Sequence, residues 1–134
     1  HTVDSLKLAQ KLSAAMQQHK PGGMLNCLLQ INVSGEESKS GLYIEETITF
    51  LGELLELNVP NLAWRGLMTI GVQADEQETQ KAFSELRLLR DQCQEKFDLK
   101  EFDQLSMGMS GDYAMAIAEG STMVRIGTEL FGKR

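Results

Sequence analysis

The alternation of strand-like and helix-like segments constrains the fold of this chain more than any other feature. Short apolar runs alternate with amphipathic stretches whose apolar residues recur three and four positions apart. This pattern predicts strands at 1–3, 25–33, 62–70, 103–108 and 122–126, and helices at 5–19, 45–57, 75–97 and from about 110 to 120. Strands and helices that alternate through short connections are typical of a parallel α/β sheet.

Two architectures fit this alternation, and the pattern alone does not choose between them. One is a small doubly wound sheet, and the other is part of a (β/α)8 barrel. A whole barrel needs about 250 residues. The chain has 134 residues, so as part of a barrel it would supply roughly strands four to eight.

Composition and charge exclude several classes of function. The net charge is −6 and no run of Lys or Arg occurs, so we expect no nucleic-acid partner. The apolar stretches fall short of the roughly 20 residues of a membrane span. The first residues lack a basic-then-apolar pattern, so we expect no secretory leader. Cys27 and Cys93 lie in apolar patterns, which indicates buried, reduced thiols and a cytoplasmic protein. His1 and His19 are too isolated to form a zinc site, so no metal is expected.

The two ends of the chain resemble cuts through a larger protein. The chain opens at His1 without an initiator Met, and residues 132–134 directly follow an apolar run. We therefore interpret residues 1–134 as one partial domain.

The carboxyl ends of the predicted strands are the places where ligands bind in both architectures. The candidate segments are therefore residues 32–41, 69–71, 106–112 and 125–132. Barrels often bind phosphate between the loops after strands seven and eight, through helix N-termini and backbone amides. The last two segments would occupy that place, with hydroxyls, glycines and one arginine. The alternative for Ser106 and Ser110 is helix capping, and for Arg125 a surface ion pair. Ser110 or Asp112 can cap the helix that ends near Gly120.

Four motifs carry a resemblance to a known family. Residues 123–132, Met-Val-Arg-Ile-Gly-Thr-Glu-Leu-Phe-Gly, resemble the closing-strand signature of alanine-racemase-like, fold-type-III proteins that bind pyridoxal 5′-phosphate (PLP). Residues 30–41, 65–70 and 105–110 precede this segment in the chain. The four motifs in this order resemble the PLP homeostasis protein family. The resemblance implies a PLP-binding (β/α)8 TIM-type barrel, of which this chain is the C-terminal portion, about strands 4–8.

The resemblance also implies which residues bind the cofactor. Arg125 matches the arginine that faces the pyridine nitrogen of PLP. A guanidinium can only donate hydrogen bonds, so it keeps that nitrogen unprotonated and the ring a weaker electron sink. The residues matched to the phosphate cradle and its pocket are Ser106, Met107, Ser110, Gly127 and Thr128.

The chain departs from the family at the covalent anchor. The family forms its Schiff base through a lysine on the first strand, and no lysine of this chain matches that position. The Schiff-base lysine is therefore not present in this chain, and we assign no catalytic residue. The remaining strands would come from the missing N-terminal half of the barrel or from a second copy.

The function implied by the resemblance is to hold PLP and deliver it to PLP-dependent apo-enzymes without catalysis. One alternative is a racemase-like enzyme that acts on amino acids. Such an enzyme needs a base on the opposite side of the ring, commonly a tyrosine, and neither Tyr43 nor Tyr113 has an evident role of that kind. A third possibility is a PLP-free phosphate-binding domain.

Overall fold

The computed structural model describes residues 1–35, 40–57, 59–70, 75–109 and 111–125, with Arg125 described by its backbone alone. These residues form strands and helices in strict alternation, which confirms the predicted element order. In chain order the elements are β1 (Thr2–Val3), α1 (Leu6–His19), β2 (Leu25–Gln30), α2 (Ile44–Glu56), β3 (Leu62–Met68), α3 (Glu76–Phe97), β4 (Gln104–Met109), α4 (Tyr113–Ala118) and β5 (Met123–Arg125).

The strand order of the sheet distinguishes the two architectures that the sequence leaves open. All neighbouring strands are parallel, and their order in the sheet is β1-β2-β3-β4-β5. A doubly wound sheet reverses its strand order at a switch point, and no reversal occurs among these strands. Sequential parallel strands are the winding of a (β/α)8 barrel.

A row of apolar side chains runs across one face of the sheet and forms the centre of the core. Val3, Leu29 and Leu67 are neighbours in the register, and Leu67 pairs with Leu105 on the next strand. All four are fully buried. Every helix adds buried residues to the same cluster, among them Ala9, Leu51, Leu54, Phe83, Leu86, Leu89 and Ala116. The four helices therefore cover this one face.

The opposite face of the sheet has a mixed character. The row Gln30–Met68–Ser106–Met123 runs across it in register, and we call it the open face. No described helix contributes to this row, because all four pack on the other side. In a closed barrel the face opposite the helices is the interior.

Strands β3 and β4 approach each other closely at Gly66. Its φ is +152°, and a Cβ atom there would overlap the carbonyl oxygen of Gln104 on β4. Only glycine accepts both the backbone conformation and the contact. This residue therefore allows β3 and β4 to pair at Gly66 and Gln104.

Candidate functional site

The pairing of β4 with β5 brings the main predicted site residues together. Ser106 pairs with Met123, and Met109 pairs with the backbone of Arg125. The register shifts between these pairs because β4 advances three positions while β5 advances two, which is a β-bulge. Positions 123 and 125 share one face of β5 by strand alternation. We call the four positions Ser106, Met109, Met123 and Arg125 the β4–β5 face.

Gly108 is the residue that permits the bulge. Its φ is +105°, a conformation that favours glycine. A Cβ atom there would lie 2.6 Å from Cβ of Ala116 and 3.2 Å from Cγ1 of Val124. Position 108 therefore faces α4 instead of the open face, and Met109 takes its place beside Arg125. A glycine inside a strand pattern is the sequence signal for such a bulge, and Gly108 was not among the predicted site residues.

The structure places Met107 away from the predicted pocket. Its side chain is fully buried in the core with Leu105 and Ala116. Adjacent residues of a strand point to opposite faces, so Met107 and Ser106 face opposite sides of the sheet. The expectation that the Met107 side chain lines one pocket with Ser106 is wrong.

Ser106 is the third residue of β4 and pairs with Met68, the last residue of β3. It is held there through the neighbouring strands. The residue is buried, with 7% of its surface exposed, although it belongs to the open face. Its carbonyl oxygen accepts the backbone N–H of Thr69 at 3.0 Å. The Thr69 hydroxyl in turn donates to the carbonyl of Ile31 at 2.9 Å. Thr69 therefore connects the ends of β2 and β3 to Ser106 of β4.

The turn after β4 is held by Asp112. The backbone N–H of Met109 donates to Oδ1 of Asp112 at 2.6 Å, and the N–H of Asp112 donates to the carbonyl of Met109 at 3.0 Å. Asp112 stands at the N-cap position of α4 but makes no side-chain capping bond to that helix. Its carboxylate is engaged in the turn, so the expected capping role is wrong for Asp112.

A small cavity lies at the carboxyl ends of β2 and β3, next to Thr69. It has a volume of about 120 Å³ and is lined by Ile31, Asn32, Val33, Ser34, Ser40, Thr69 and Ile70. Pockets for drug-sized ligands begin at roughly 300 Å³, so this cavity alone does not hold a cofactor. Asn32 is buried at its edge, where its Oδ1 accepts the Ser34 hydroxyl at 3.0 Å and the Gly35 N–H at 3.2 Å. Asn32 thus shapes the loop after β2.

Several predicted site residues lie outside the described part of the chain. Ser110, Gly127 and Thr128 belong to this group. Arg125 is located by its backbone pairing with Met109 only. Of the predicted cofactor residues, the structure therefore brings Ser106 and the backbone of Arg125 to one face and separates Met107 from it.

Both cysteines are buried, free thiols. Burial raises the pKa of Cys27, and it raises the pKa of Cys93 to about 11. A raised pKa keeps a thiol protonated and unreactive. Across the described ranges, no group of three or more His, Cys, Asp or Glu side chains could hold a metal ion. In the same ranges, no helix is long and apolar enough to cross a membrane.

Comparison with known proteins assigns the chain to a family. The family model described as "Alanine racemase, N-terminal domain" matches residues 1–134. The chain belongs to the alanine racemase N-terminal domain family. The family relation agrees with the sequential parallel sheet, whose strand order is that of a barrel.

Similar members of the family carry names that refer to PLP. The chain is 46% identical over 136 residues to a pyridoxal phosphate homeostasis protein of Vibrio alginolyticus, covering 100% of this chain and 55% of that protein. It is 48% identical over 138 residues to the protein of the same name from Pseudomonas aeruginosa, again covering 100% and 55%. The chain therefore spans about half the length of the curated relatives it matches.

A solved structure of this family agrees with the fold. The structure of PipY from Synechococcus elongatus, with PLP bound, superposes with a TM-score of 0.84 and 31% sequence identity. The match covers 97% of this chain and 58% of PipY. The matching family model is named for an N-terminal domain, and the comparisons do not support the expectation that this chain is a C-terminal portion.

Proposed function

We propose that this chain supplies one side of a PLP site in a protein that holds and delivers PLP without catalysing a reaction. The observation that carries the proposal is the pairing of Ser106 with Met123 and of Met109 with Arg125, which gathers a hydroxyl and an arginine position on one face. Met109 and Arg125 are the last residues of β4 and β5, at the carboxyl ends where (β/α)8 barrels bind their ligands. The relatives named for PLP homeostasis support the proposal.

The residue types of the β4–β5 face fit PLP. Ser106 is a buried hydroxyl on the face that no described helix covers. A hydroxyl can donate to a phosphate oxygen, and so can backbone amides where a glycine lets the main chain come close. In our proposal Ser106, Gly127 and Thr128 hold the phosphate group, and Ser110 lines the same pocket.

Arg125 has a different task in this proposal. Its guanidinium donates a hydrogen bond to the pyridine nitrogen and stays charged at every relevant pH. When bound, PLP supplies a reactive aldehyde and an electron-withdrawing ring. An arginine partner leaves the ring nitrogen unprotonated and weakens that electron withdrawal, which suits a protein that stores the cofactor.

We further propose that the five strands form the C-terminal portion of the barrel, about strands four to eight. In barrels the phosphate site is frequently built from the loops after strands seven and eight. The β4–β5 face carries the proposed phosphate ligands, so β4 and β5 would be those two strands. The Schiff-base lysine and the strands that complete the barrel would then come from a part of the intact protein outside this chain, or from a second copy.

The proposed site is tested by PLP binding to variants of the intact protein. We expect Arg125→Ala and Ser106→Ala each to weaken PLP affinity by about tenfold, since each removes one hydrogen bond to a charged or polar group. Arg90→Ala and Ser13→Ala are matched controls, because their side chains bond carbonyl oxygens of Asp103 and Pro60 on the helix-covered side. Unchanged affinity in both site variants would overturn the assignment.

The same protein distinguishes storage from catalysis. In our proposal the PLP-loaded protein transfers the cofactor to a PLP-dependent apo-enzyme in the cytoplasm and does not interconvert the enantiomers of alanine. Activation of an apo-enzyme measures transfer, and chiral chromatography of alanine measures racemisation. Racemisation at the rate of an enzyme, lost in Arg125→Ala, would favour the racemase-like alternative.

A further inference from the structure

The hydroxyl of Ser121 lies at the point where three main-chain carbonyls of β4 and β5 converge. Its Oγ is 2.7 Å from the carbonyl oxygen of Met107 and 3.3 Å from that of Leu105, the two residues that flank Ser106. It is also 2.8 Å from the carbonyl oxygen of Met123, the residue paired with Ser106. We call this arrangement the Ser121 cluster.

We propose that Ser121 is a positioning residue for the β4–β5 face. In this role its hydroxyl holds the Ser106–Met123 pair in register and so sets the spacing between Ser106 and Arg125. This inference rests on the proposed function, which assigns those two residues to the phosphate and the ring nitrogen of PLP. Ser121 itself is not placed in contact with the cofactor.

The physical basis of the role is the convergence of three acceptors on one donor. Carbonyl oxygens carry partial negative charge, and a serine hydroxyl has a single proton to donate. The hydroxyl donates to one carbonyl at a time. A bond to Met107 or Leu105 links the segment that opens β5 to β4, whereas a bond to Met123 lies within the β5 segment. Without that proton, the carbonyl oxygens of Met107 and Met123 would lose the donor that they share across the Ser106–Met123 pair, and the two strand ends would move apart. The carbonyl of Leu105 would keep the N–H of Thr122.

Thr122 stabilises the start of β5 through bonds to Leu105, whereas Ser121 reaches the residue beyond Ser106. The N–H of Leu105 donates to the Thr122 hydroxyl at 2.9 Å, and the N–H of Thr122 donates to the carbonyl of Leu105 at 2.9 Å. Both bonds end at Leu105, before the bulge. The Ser121 hydroxyl is the contact that reaches Met107 inside the bulged segment.

The register between β4 and β5 must be fixed because the bulge could form at more than one position along β4. A slip of one residue moves side chains to the opposite face of a strand. A regular ladder from the Ser106–Met123 pair would set Arg125 beside Gly108, whereas the observed partner is Met109. Loss of the Ser121 hydroxyl should therefore alter the β4–β5 face before it alters the rest of the fold.

The test compares Ser121→Ala with Ser13→Ala in the intact protein, with PLP as the probe. Both substitutions remove a hydroxyl that donates to a carbonyl oxygen, and Ser13 does so to Pro60 at 2.6 Å on the helix-covered side. Binding is measured by fluorescence titration well below the unfolding temperature of either variant. We expect Ser121→Ala to bind PLP about tenfold more weakly and with a shifted absorbance maximum of bound PLP. We expect Ser13→Ala to bind like the wild type, and Ser121→Thr, which keeps a hydroxyl, to recover most of the affinity.

The outcomes separate this inference from the proposed function. If Arg125→Ala weakens binding while Ser121→Ala keeps wild-type affinity and absorbance, the positioning role is wrong and the PLP site stands. If Ser121→Ala and Ser13→Ala lose stability equally and neither changes binding, the Ser121 hydroxyl is merely structural, which also overturns the inference. If Arg125→Ala, Ser106→Ala and Ser121→Ala all leave binding unchanged, the proposed function fails with it.

Discussion

A residue with no tolerance for a side chain lies where β3 and β4 approach each other closely. Gly66 has a φ of +152°, and a Cβ atom there would overlap the main chain of Gln104. Gly111, near the start of α4, has no atom within 4 Å of the same ideal Cβ position. The two glycines therefore differ in physical role, although nothing in the local sequence separates them.

Gly66→Ala should destabilise the protein strongly. The added methyl group must displace backbone atoms of Gln104, and the alanine must adopt a backbone conformation that L residues avoid. We expect the free energy of unfolding to fall by about 3 kcal/mol or more. Gly111→Ala is the matched control and should change it by less than about 0.5 kcal/mol. Urea unfolding measures both, and an equal effect of the two substitutions would contradict this account of β3 and β4.

The buried thiol of Cys93 predicts a dependence of stability on alkaline pH. Burial raises its pKa from 9.0 to about 11. Below pH 9 the folded and unfolded states both hold the proton, so the contribution of Cys93 is constant there. Between pH 9 and pH 11 the unfolded state releases the proton first, so stability falls as the pH rises.

The measurement is the slope of unfolding free energy against pH in wild type and in Cys93→Ala. The variant lacks the titrating thiol, while every other group that titrates in this range is common to both proteins. We expect a steeper loss of stability with pH in the wild type. Parallel slopes would show that the Cys93 pKa is the same in the folded and unfolded states.

At the scale of elements, the predicted alternation is confirmed, and the boundaries move by a few residues at most at each helix end. The apolar stripe of residues 75–97 predicted α3, which spans Glu76–Phe97. Helix periodicity depends on neighbours within one turn, so a local pattern is sufficient to predict it. The strand predicted at 25–33 is shorter in the structure. β2 ends at Gln30, and residues 31–33 leave the strand and turn around Asn32.

The beginning of α3 depends on one carboxylate. Asp75 is its N-cap, and the side chain accepts the N–H of Glu78 at 2.8 Å. We expect Asp75→Ala to lower the free energy of unfolding by about 1 kcal/mol. Glu95→Ala removes an exposed carboxylate near the other end of the same helix, where negative charge is unfavourable, and should be neutral or slightly stabilising. Thermal unfolding distinguishes the two, and an equal loss of stability in both variants would contradict the capping role of Asp75.

At the scale of the whole molecule, the fold has one covered face and one open face. The open face includes Met123, which is 41% exposed, and β1 and β5 are the edges of the sheet. Edge strands with free hydrogen-bonding groups promote association between chains. In our proposal, the strands that complete the barrel in the intact protein pair with the edges β1 and β5 and enclose the open face.

The 134-residue chain on its own should therefore self-associate. We expect its sedimentation coefficient to rise with concentration, and Met123→Lys to reduce that rise by placing a charge on the open face. Leu88→Lys is the control, since Leu88 is 53% exposed on α3, away from this face. Association that Leu88→Lys suppresses as well as Met123→Lys would assign the contact to the helical side.

The site was predictable in part, for reasons that differ between residues. Ser106 and Arg125 were identified through motifs, and the structure brings Ser106 and the backbone of Arg125 to one face. Met107 was placed wrongly because a motif does not show which way a strand residue points once its partners are known. The Ser121 cluster was missed because the hydroxyl bonds carbonyls 14 and 16 positions away, outside any local pattern.

The sequence by itself determined the alternation of strands and helices and the family, because periodicity and short motifs are properties of neighbouring residues. Only the tertiary structure decided that the described strands follow one another without reversal, that the described helices share one face, and that a bulge at Gly108 sets Met109 beside Arg125. These features depend on packing and hydrogen bonds between residues far apart in the chain. Their energies are decided by the fit of whole elements, which a local pattern does not contain.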